Sequence, residues 1–335
     1  MSTFYIGIKL GSTSTCIYKP GNGIVLEEAS LIAMPKNLKI RDVKAVGSDA
    51  KKLIGRTSDN ISVFSPILNG TIHYEELAIY MLKGFLKKVF PNKSIGQNIK
   101  AVLSVPMGLS AEEKKHLEIT CFKAGIADVY LVPDIINYAL GSGININEES
   151  AKFIVNIGGH TTNIGIISNL QIIKGYNFSI GGSLINVALK EYIENKYNIF
   201  ISYDQVEKLK TEIATLFENY NASMEIIGVN KNTQAKEHVI ITSNELYPIT
   251  SNYYGKIADA INSIFQSADP EAIADISKNG IYFYGGGTKI IGLEQFMAEK
   301  TNLKIILNNL SKSNLYGTGE LIKYPQLLKK VLKNN

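Results

Sequence analysis

The stretch from residue 153 to residue 167, FIVNIGGHTTNIGII, constrains the fold of this chain more than any other. Apolar residues fill both of its ends, and two glycines, a histidine and two threonines separate them. Short apolar runs on either side of a glycine turn are typical of a β-hairpin. Because such a turn can aim several backbone N–H groups at one point, an anion is a natural ligand there. A plain structural hairpin is the alternative, since small apolar hairpins with Gly-Gly turns are common.

A second stretch repeats this pattern near the start of the chain. Residues 4–18 read FYIGIKLGSTSTCIY, and residues 11–15 take the place of residues 158–162. In this alignment Lys9 corresponds to Asn156. Two strand–turn–strand phosphate candidates suggest a duplicated fold. A nucleotide would then lie in the cleft between the two halves, with both turns facing its phosphates.

A third glycine turn lies late in the chain. Residues 281–284 are apolar and aromatic, as in a strand, and Gly285, Gly286 and Gly287 follow directly. A helical pattern then runs from residue 290 to residue 300. Glycines lack a Cβ atom and so let a flat ligand approach the backbone. By itself a triple glycine indicates only a turn.

Taken together, these motifs resemble those of the actin, heat-shock chaperone and sugar-kinase superfamily. Within it, the chain is similar to the bacterial actin family MreB over nearly its full length. The stretches that carry the resemblance occur in the order and at the spacings of the family: Gly7 to Ser12, Gly23 to Leu26, Ala45 to Lys51, Ile54 to Thr57, Val105-Pro106, Val155 to Thr162 and Gly280 to Gly287. The composition, rich in Lys, Ile and Asn, and the altered motifs are similar to those of an MreB paralogue from a wall-less, helical bacterium.

The resemblance implies an α/β fold of the two-lobed, actin-like ATPase type, with a duplicated mixed-sheet core and smaller inserted subdomains. We expect lobe I at residues 1–145, with an inserted subdomain at about residues 31–65. We expect lobe II at residues 146–335, with an inserted subdomain at about residues 185–245. The alternation of strand and helix patterns along the chain favours the same α/β class.

The resemblance also implies an ATP site and assigns residues to it. The turns at 12–14 and 158–161 would bind the phosphates. The helix carrying residues 207–210 would contact ribose and adenine. Residues 286–289 would contact the adenosine and the α-phosphate. The expected binding residues are Lys9, Ser12, Thr13, Ser14, Gly158, Gly159, His160, Thr161, Glu207, Lys208, Lys210, Gly285, Gly286, Gly287, Thr288 and Lys289.

Some of these assignments have alternatives. Without the resemblance, Glu207 and Lys210 indicate only a solvated ion pair one helical turn apart, on a helix expected from residue 202 to residue 216. His160 replaces a glycine of the usual turn, and it either donates to a phosphate or points to solvent.

Two departures from the family pattern concern magnesium. Family members usually carry an aspartate before each phosphate turn, and these carboxylates arrange the waters around Mg²⁺. Lys9 and Asn156 take those two places here. We therefore expect Mg²⁺ to bind weakly or indirectly, and we predict no residue as a metal ligand. Lys9 either pairs with phosphate, as a lysine is able to do, or turns away toward a nearby carboxylate.

A third departure concerns catalysis. The family uses a glutamate to position the attacking water, and Asp134, one methylene shorter, stands at that position. Thr161 is the second residue that we expect to hold this water. Because a displacement of about 1 Å can cost roughly 10²-fold in rate, we expect ATP binding with slow or nearly absent hydrolysis, a weak ATPase at most.

The sequence thus predicts an ATP-binding bacterial actin that polymerises into membrane-associated filaments for cell shape or motility. ATP would act as a conformational ligand that holds the lobes closed. The expected partners are other copies of the chain, an anionic membrane surface and other cytoskeletal paralogues. A small-molecule kinase of the same superfamily is the alternative, and the loss of acidic groups at positions 9 and 156 argues against it. A chaperone ATPase would need a separate peptide-binding domain.

Composition argues against several other classes. The 335 residues carry a net charge of +5 without a dense basic stripe, so a nucleic-acid partner is not expected. Cys16 and Cys121 lack CxxC spacing, which argues against a zinc site or a disulfide framework. No stretch approaches the ~20 apolar residues of a membrane span, and no signal peptide is visible. We expect a cytoplasmic protein that associates peripherally with the membrane.

Two segments are candidates for membrane contact. One is the loop at residues 89–98, which the resemblance implies inserts apolar residues into the bilayer surface. It offers the apolar residues Val89, Phe90 and Ile95, with Lys87, Lys88 and Lys93 nearby. The other is residues 321–332, a short basic amphipathic segment suited to an anionic interface. An ordinary terminal helix packed on its own domain is the alternative for this second segment.

Overall fold

The structure of the chain is a computed structural model. It describes residues 3–36, 42–54, 60–92, 96–308, 310 and 312–335. Residues 55–57 of the family motif, together with Lys93 and Ile95 of the candidate membrane loop, lie outside the described residues. The chain forms two compact units. The first unit comprises residues 1–150, 167–177 and 310–335, and the second comprises residues 151–166 and 178–309.

Strands outnumber helices in the first 150 residues. In chain order they are β1 (Thr3–Leu10), β2 (Ser14–Lys19), β3 (Gly23–Ala29), β4 (Ile32–Pro35), β5 (Ala45–Val46), α1 (Ser48–Lys51), β6 (Ile61–Phe64), β7 (Ile67–Leu68), β8 (Thr71–Ile72), α2 (Glu75–Val89), β9 (Asn98–Val105), α3 (Ala111–Ala124), β10 (Asp128–Pro133) and α4 (Asp134–Gly141).

The rest of the chain is richer in helix. In chain order the elements are β11 (Lys152–Ile157), β12 (Thr162–Ser168), β13 (Gln171–Phe178), α5 (Gly182–Lys196), β14 (Ile199–Phe200), α6 (Tyr203–Glu212), β15 (Ser223–Asn230), β16 (Lys236–Thr242), α7 (Ser243–Gln266), α8 (Pro270–Asn279), β17 (Ile281–Tyr284), a 3₁₀ turn (Gly286–Lys289), α9 (Leu293–Thr301), β18 (Ile305–Leu307), α10 (Ser313–Lys323) and α11 (Pro325–Asn334). Among the described residues, we find no helix with the length and apolar character that a membrane span requires.

Two five-stranded sheets have the same topology. One runs β3-β2-β1-β9-β10 and the other runs β13-β12-β11-β17-β18. In each sheet, three strands consecutive in the chain lie side by side, and the first of them pairs in parallel with a later strand, β1 with β9 and β11 with β17. The last strand of each sheet is again parallel to its neighbour. The predicted duplicated mixed-sheet core is therefore confirmed.

The sequence pattern explains how each sheet is covered. In β1, the alternate residues Ile6 and Ile8 are fully buried, and the helical face of α2 that includes Phe85 belongs to the same apolar core. In the second core, Phe153 of β11 and Leu189 of α5 are buried in the same way. Each such side chain contributes about 1.5–3 kcal/mol on burial, so the sheets and helices hold the glycine turns in fixed places.

In the first unit, the backbones of helices α4 and α10 are in direct contact. A Cβ atom added at Gly141 would lie 1.7 Å from the carbonyl oxygen of Ser313, and one at Gly317 would lie 1.9 Å from that of Asn137. Only glycine allows this approach. Because residues 310–335 pack on α4 and β1, they belong to the first unit. The compact units thus divide the chain differently from the predicted lobes, whose boundaries stay predictions.

Two predicted helix limits are wrong. The predicted helix from 202 to 216 ends at Glu212, and a bridge between Thr215 and Ile291 follows in extended backbone. The helix after the triple glycine begins at Leu293, because the chain first forms a 3₁₀ turn and then passes through Gly292 at φ 86°. The Ser-x-x-Glu start of α3 is confirmed, since Ser110 and Glu113 form a capping box.

Candidate functional site

A cavity of about 230 Å³ opens in the second unit, where the turns after β11 and β17 meet α6 and α7. The cavity lies outside the carboxyl ends of these two strands, which is where open α/β sheets bind their ligands. Glycines form much of its wall. It is lined by Gly158, Gly159, Gly182, Glu207, Lys210, Thr211, Tyr254, Gly286, Gly287, Lys289 and Ile290.

The three consecutive glycines after β17 differ in what a side chain at each position would meet. Gly285 has φ 93°, and an added Cβ would lie 2.2 Å from the carbonyl oxygen of Ile157. A Cβ at Gly287 would lie 2.2 Å from Ile157 Cγ2. At Gly286 an added Cβ would meet no atom within 4 Å, and its φ is not positive. Neither packing nor backbone conformation therefore explains the glycine at 286, which leaves bare backbone exposed to the cavity.

Helix α6 brings a charged pair to the cavity. Its first turn is fixed by a capping box between Ser202 and Gln205. Lys210 Nζ donates to Glu207 Oε2 at 2.7 Å and to the carbonyl oxygen of Gly182 at 3.3 Å. The Lys210 side chain is only 15% exposed, whereas that of Glu207 is 46% exposed. In this ion pair the lysine is therefore anchored, and the carboxylate is open to solvent.

Helix α7 supplies Tyr254, which sequence reasoning missed. Its hydroxyl donates to the carbonyl oxygen of Gly287 at 2.6 Å, and burial raises the pKa of the phenol, so the group stays protonated and holds the glycine turn. Thr288 turns its hydroxyl back to the carbonyl oxygen of Gly285 at 2.8 Å. Two side-chain hydrogen bonds thus hold the 3₁₀ turn in place.

The turn after β11 joins the cavity to the start of α5. The Gly158 N–H donates to the Thr161 carbonyl at 2.8 Å and closes the turn. The carbonyl oxygens of Gly158 and Gly159 accept from the N–H groups of Gly182 and Ser183, the first residues of α5. This network holds the glycine turn against the amino terminus of a 15-residue helix, where the helix dipole favours a negative ligand.

The two side chains at the tip of this turn are half-buried. Burial lowers the pKa of the His160 imidazole below its usual value, so the ring is mostly neutral at pH 7. A neutral imidazole still carries one N–H and can donate one hydrogen bond. Next in the chain, Thr162 is buried and donates to the carbonyl oxygen of Ile180 at 2.6 Å, so it is structural, whereas Thr161 is partly accessible.

The turn after β1, in the first unit, has the same backbone closure. The Gly11 N–H donates to the Ser14 carbonyl at 3.1 Å, and the Thr13 carbonyl accepts from the Ser30 N–H at 3.1 Å. Thr15 and Ser30 share a buried hydroxyl contact at 2.8 Å. The predicted residues Ser12 and Ser14 are half-buried and Thr13 is exposed. The hydrogen bonds of the turn hold the backbone of these three hydroxyl residues in place.

Lys9 precedes this turn and contacts helix α4. Its Nζ donates to the Tyr138 hydroxyl at 3.3 Å and lies 5.8 Å from the centre of the same ring. The electrostatic influence of Tyr138 raises the pKa of Lys9 against the opposing effect of burial, and the Asp134 carboxylate acts in the same direction. Asp134 and Tyr138 are one helical turn apart on α4 and both are buried. Lys9 therefore stays positively charged.

The described residues do not offer a ready magnesium site. Across the described ranges, no group of three or more His, Cys, Asp or Glu side chains is placed to hold a metal ion. In the first unit, the position before the turn carries an ammonium that faces Asp134. The residues present therefore do not fit Mg²⁺ held in the way that the family resemblance implies.

Comparison with known proteins decides the family. The sequence pattern of the MreB/Mbl protein family matches residues 3–330. The chain belongs to the MreB/Mbl family. It is 28% identical to the cell shape-determining protein MreB of Escherichia coli strain K12 over 305 residues, which are 90% of this chain and 88% of that protein. It is 29% identical to the cell shape-determining protein Mbl of Bacillus subtilis strain 168 over 319 residues, 95% of each chain.

Solved structures confirm the actin-like fold of this MreB/Mbl family member. The crystal structure of Spiroplasma citri MreB5 bound to ADP matches with a TM-score of 0.89 and 26% identity, covering 99% of this chain and 98% of that one. The MamK double helical filament matches with a TM-score of 0.79, covering 96% and 99% of the two chains. At 19% identity, this second likeness shows the fold alone.

The structure brings part of the predicted binding set together. Gly158, Gly159, Glu207, Lys210, Gly286, Gly287 and Lys289 line the cavity of the second unit. His160, Thr161, Gly285 and Thr288 adjoin these residues in the chain but are not part of the lining.

The remaining predicted residues lie elsewhere. Lys208 is exposed and lies 4.0 Å from Glu212 on another face of α6, outside the cavity. Lys9, Ser12, Thr13, Ser14 and Asp134 belong to the first unit.

Sequence reasoning missed four cavity residues. They are Gly182, Thr211, Tyr254 and Ile290. Gly182 and Ile290 adjoin glycine motifs and have a signal in the sequence. Tyr254 lies in the middle of a long amphipathic helix, where an aromatic residue indicates core packing and nothing more.

Proposed function

We propose that this chain is an ATP-binding bacterial actin that assembles with its own copies into filaments serving cell shape or motility. The observation that carries the proposal is the bare backbone at Gly286 beside a cavity with a fixed charged pair. The structurally similar Spiroplasma citri MreB5 has been crystallised with ADP and with AMPPNP. Family membership favours a filament protein over the small-molecule kinase.

The cavity offers each part of a nucleoside a suitable contact. A flat base can lie against the backbone of Gly286 and Gly287, where no side chain intervenes. The exposed Glu207 carboxylate can accept hydrogen bonds from ribose hydroxyls while Lys210 keeps it in place. The turn at 158–161, beside the amino terminus of α5, suits the phosphates.

Slow hydrolysis is the second part of the proposal. Asp134 is shorter than the glutamate of the family pattern, and it interacts electrostatically with the Lys9 ammonium. A carboxylate that is stabilised by a nearby positive charge is a weaker acceptor for the proton of an attacking water. Nucleotide would then act chiefly as a ligand that shifts a conformational equilibrium.

Self-association rests on the family and the fold. The relatives from Escherichia coli and Bacillus subtilis are named as cell shape-determining proteins, and the similarly folded MamK forms a double helical filament. A filament needs two different, complementary faces on each subunit, so that the contact does not close on itself. Other cytoskeletal paralogues are further partners of this kind.

Contact with an anionic membrane would use the C-terminal helices. Leu321 and Val331 are buried within the first unit, which leaves Tyr324 and Leu332 as the exposed apolar residues. The segment's lysines are exposed: Lys323, Lys329, Lys330 and Lys333. This arrangement suits electrostatic adsorption rather than deep insertion.

In the described part of the loop at residues 89–98, the largest apolar side chain is buried. Phe90 is 8% exposed and packs on Phe4, with ring centres 5.1 Å apart. Lys19 lies over both rings. We therefore place the proposed membrane contact on α11.

Vesicle co-sedimentation tests the membrane contact. The double variant Lys329→Glu/Lys330→Glu should pellet less with phosphatidylglycerol-containing vesicles than the unmodified chain does. The adjacent lysine pair of α3, changed as Lys114→Glu/Lys115→Glu, is the matched control and should leave co-sedimentation unchanged. Equal loss in both variants, or none in the first, would remove α11 from the proposal.

Nucleotide titration with a pair of glycine variants tests the binding site. Gly286→Leu should fill the cavity and lower ATP affinity at least tenfold while the melting temperature stays unchanged. Gly255→Leu is the matched control, because a Cβ there also meets no atom within 4 Å but lies outside this cavity. If Gly286→Leu binds ATP as tightly as the control does, the cavity is not the nucleotide site.

A further inference from the structure

We infer that Lys9 is a built-in cation that takes the place of Mg²⁺, so that this chain binds its nucleotide without a divalent ion. The inference rests on the proposed nucleotide-binding function and adds to it a statement about the cation. It follows from where Lys9 lies, from what holds it there and from the charge at this position.

Lys9 lies beside the turn that would receive phosphate. Strand β1 is central in its sheet, and Lys9 stands opposite Cys16 of β2 and Ser104 of β9. Its side chain leaves the sheet on the face away from the apolar core that contains Ile8. The Cε atom of Lys9 lies 4.0 Å from the position that a Cβ of Gly11 would take. The end of the lysine side chain is therefore adjacent to the turn at residues 11–14.

Two groups of α4 keep the ammonium in this place. The Tyr138 hydroxyl accepts a hydrogen bond from Nζ at 3.3 Å, and the Asp134 carboxylate attracts the charge from one helical turn earlier. Tyr138 and Asp134 are 3% and 7% exposed, so the interactions act in surroundings where charge is poorly screened. Helix α4 is itself fixed on α10 through the contact at Gly317. Lys9 is thus positioned before any ligand arrives.

The charge at this position is already balanced without a metal. In the family pattern, the aspartate before this turn and the glutamate at the catalytic position together carry −2, which favours a divalent cation. Here Lys9 and Asp134 together carry no net charge. An additional divalent ion would meet the Lys9 ammonium at close range, which is unfavourable where the effective dielectric is low. A lysine, by contrast, binds phosphate directly as a point charge.

This arrangement joins the two alternatives that the sequence leaves open for Lys9. The side chain contacts a carboxylate-bearing helix and also remains next to the phosphate turn. With nucleotide bound, the ammonium would share its donors among phosphate oxygens, Tyr138 and Asp134. An ammonium has three donors, so it can serve these acceptors together.

ATP titration with EDTA and with excess Mg²⁺ tests the inference. For the unmodified chain, the dissociation constant should agree within about threefold under the two conditions. Lys9→Met should bind ATP roughly 10- to 100-fold more weakly under both conditions, because it loses one charge-assisted contact. Lys9→Asp should bind poorly in EDTA and regain affinity when Mg²⁺ is added. Lys83→Asp, with the same charge change on an exposed position of α2, should behave like the unmodified chain.

The outcomes separate the inference from the proposed function. Tight binding in Mg²⁺ that EDTA abolishes in the unmodified chain would overturn the inference and leave nucleotide binding intact. Lys9→Met binding as tightly as the unmodified chain would also overturn it. Absence of ATP binding under both conditions would overturn the proposed function itself. Circular dichroism and melting curves of both Lys9 variants show whether they are folded, and Lys9→Met serves if Lys9→Asp is not.

Discussion

The turn after β1 and the turn after β11 are closed by the same hydrogen bond, from Gly11 to Ser14 at 3.1 Å and from Gly158 to Thr161 at 2.8 Å. Both follow the central strand of a five-stranded sheet, and both sheets have the same order of strands. The backbone frame of the two turns is therefore repeated within the chain.

The residue before each turn is where the two differ. In the first unit, the ammonium of Lys9 contacts Tyr138 near Asp134. In the second unit, the amide of Asn156 lies against the triple glycine, since a Cβ at Gly285 would be 2.5 Å from its Oδ1. The backbone of a duplicated turn can therefore persist while the charge beside it changes.

The strongest test of this comparison restores the acidic groups. The triple variant Lys9→Asp/Asn156→Asp/Asp134→Glu should release phosphate from ATP with Mg²⁺ about 10²-fold faster than the unmodified chain, because water and metal regain their positions. Asp134→Glu alone should change the rate little, since Lys9 still faces the carboxylate. Single-turnover phosphate release measures both. A full increase in the single variant would contradict the role given to Lys9.

A second test separates glycines that pack from the glycine that is open. Gly287→Ala should lower the free energy of unfolding by about 1–3 kcal/mol, because its Cβ overlaps Ile157. Gly286→Ala should change it by less than about 0.5 kcal/mol. Urea denaturation at equilibrium gives both values. Equal destabilisation in the two variants would mean that Gly286 is also required by packing.

A third test compares a helix cap in each unit. Ser110→Ala on α3 and Ser202→Ala on α6 should each cost about 1 kcal/mol of stability, since each breaks a capping box. Only Ser202→Ala should also weaken ATP binding by a few fold, because α6 carries Glu207 and Lys210. Titration of both variants with ATP makes the distinction, and an equal effect on affinity would count against the cavity.

The smallest expected effect concerns pH and the tip of the second turn, where His160 stands in the place of Thr13. The folded-state pKa of His160 is lowered by burial, so the unfolded chain takes up this proton first as the pH falls below about 6.5. The stability that the neutral His160 ring contributes is therefore lost as the pH falls from about 6.5 toward its folded-state pKa. His160→Asn should flatten the acid side of the stability profile slightly, and an unchanged profile would show that the ring is fully solvated.

Local sequence patterns predicted the parts of the site that depend on backbone conformation. The glycine turns, the cap at Ser110 and the helix carrying Glu207 each have a signal within a few residues. Helix α8 carries the same local signals, with Asp269 before Pro270 and Gly280 at its end, but it was not predicted.

The parts that were missed depend on tertiary contacts. Tyr254 reaches the Gly287 carbonyl only because α7 packs beside the 3₁₀ turn, and no spacing in the sequence shows this. Lys208 fits the motif, yet the helical rotation places it on another face from Lys210. The contact of Lys9 with Tyr138 joins residues 129 positions apart in the chain. Sequence alone left that choice open.

Phosphate release, bound nucleotide and sedimentation, measured together on the unmodified chain with ATP and Mg²⁺, test the central claim most directly. We expect saturable ATP binding and sedimenting polymer, with phosphate release about 10²-fold slower than that of the Lys9→Asp/Asn156→Asp/Asp134→Glu variant measured in parallel. Mg²⁺-dependent release at the rate of that variant would contradict the claim. It would mean that other groups rebuild the metal and water positions that Lys9, Asn156 and Asp134 have changed.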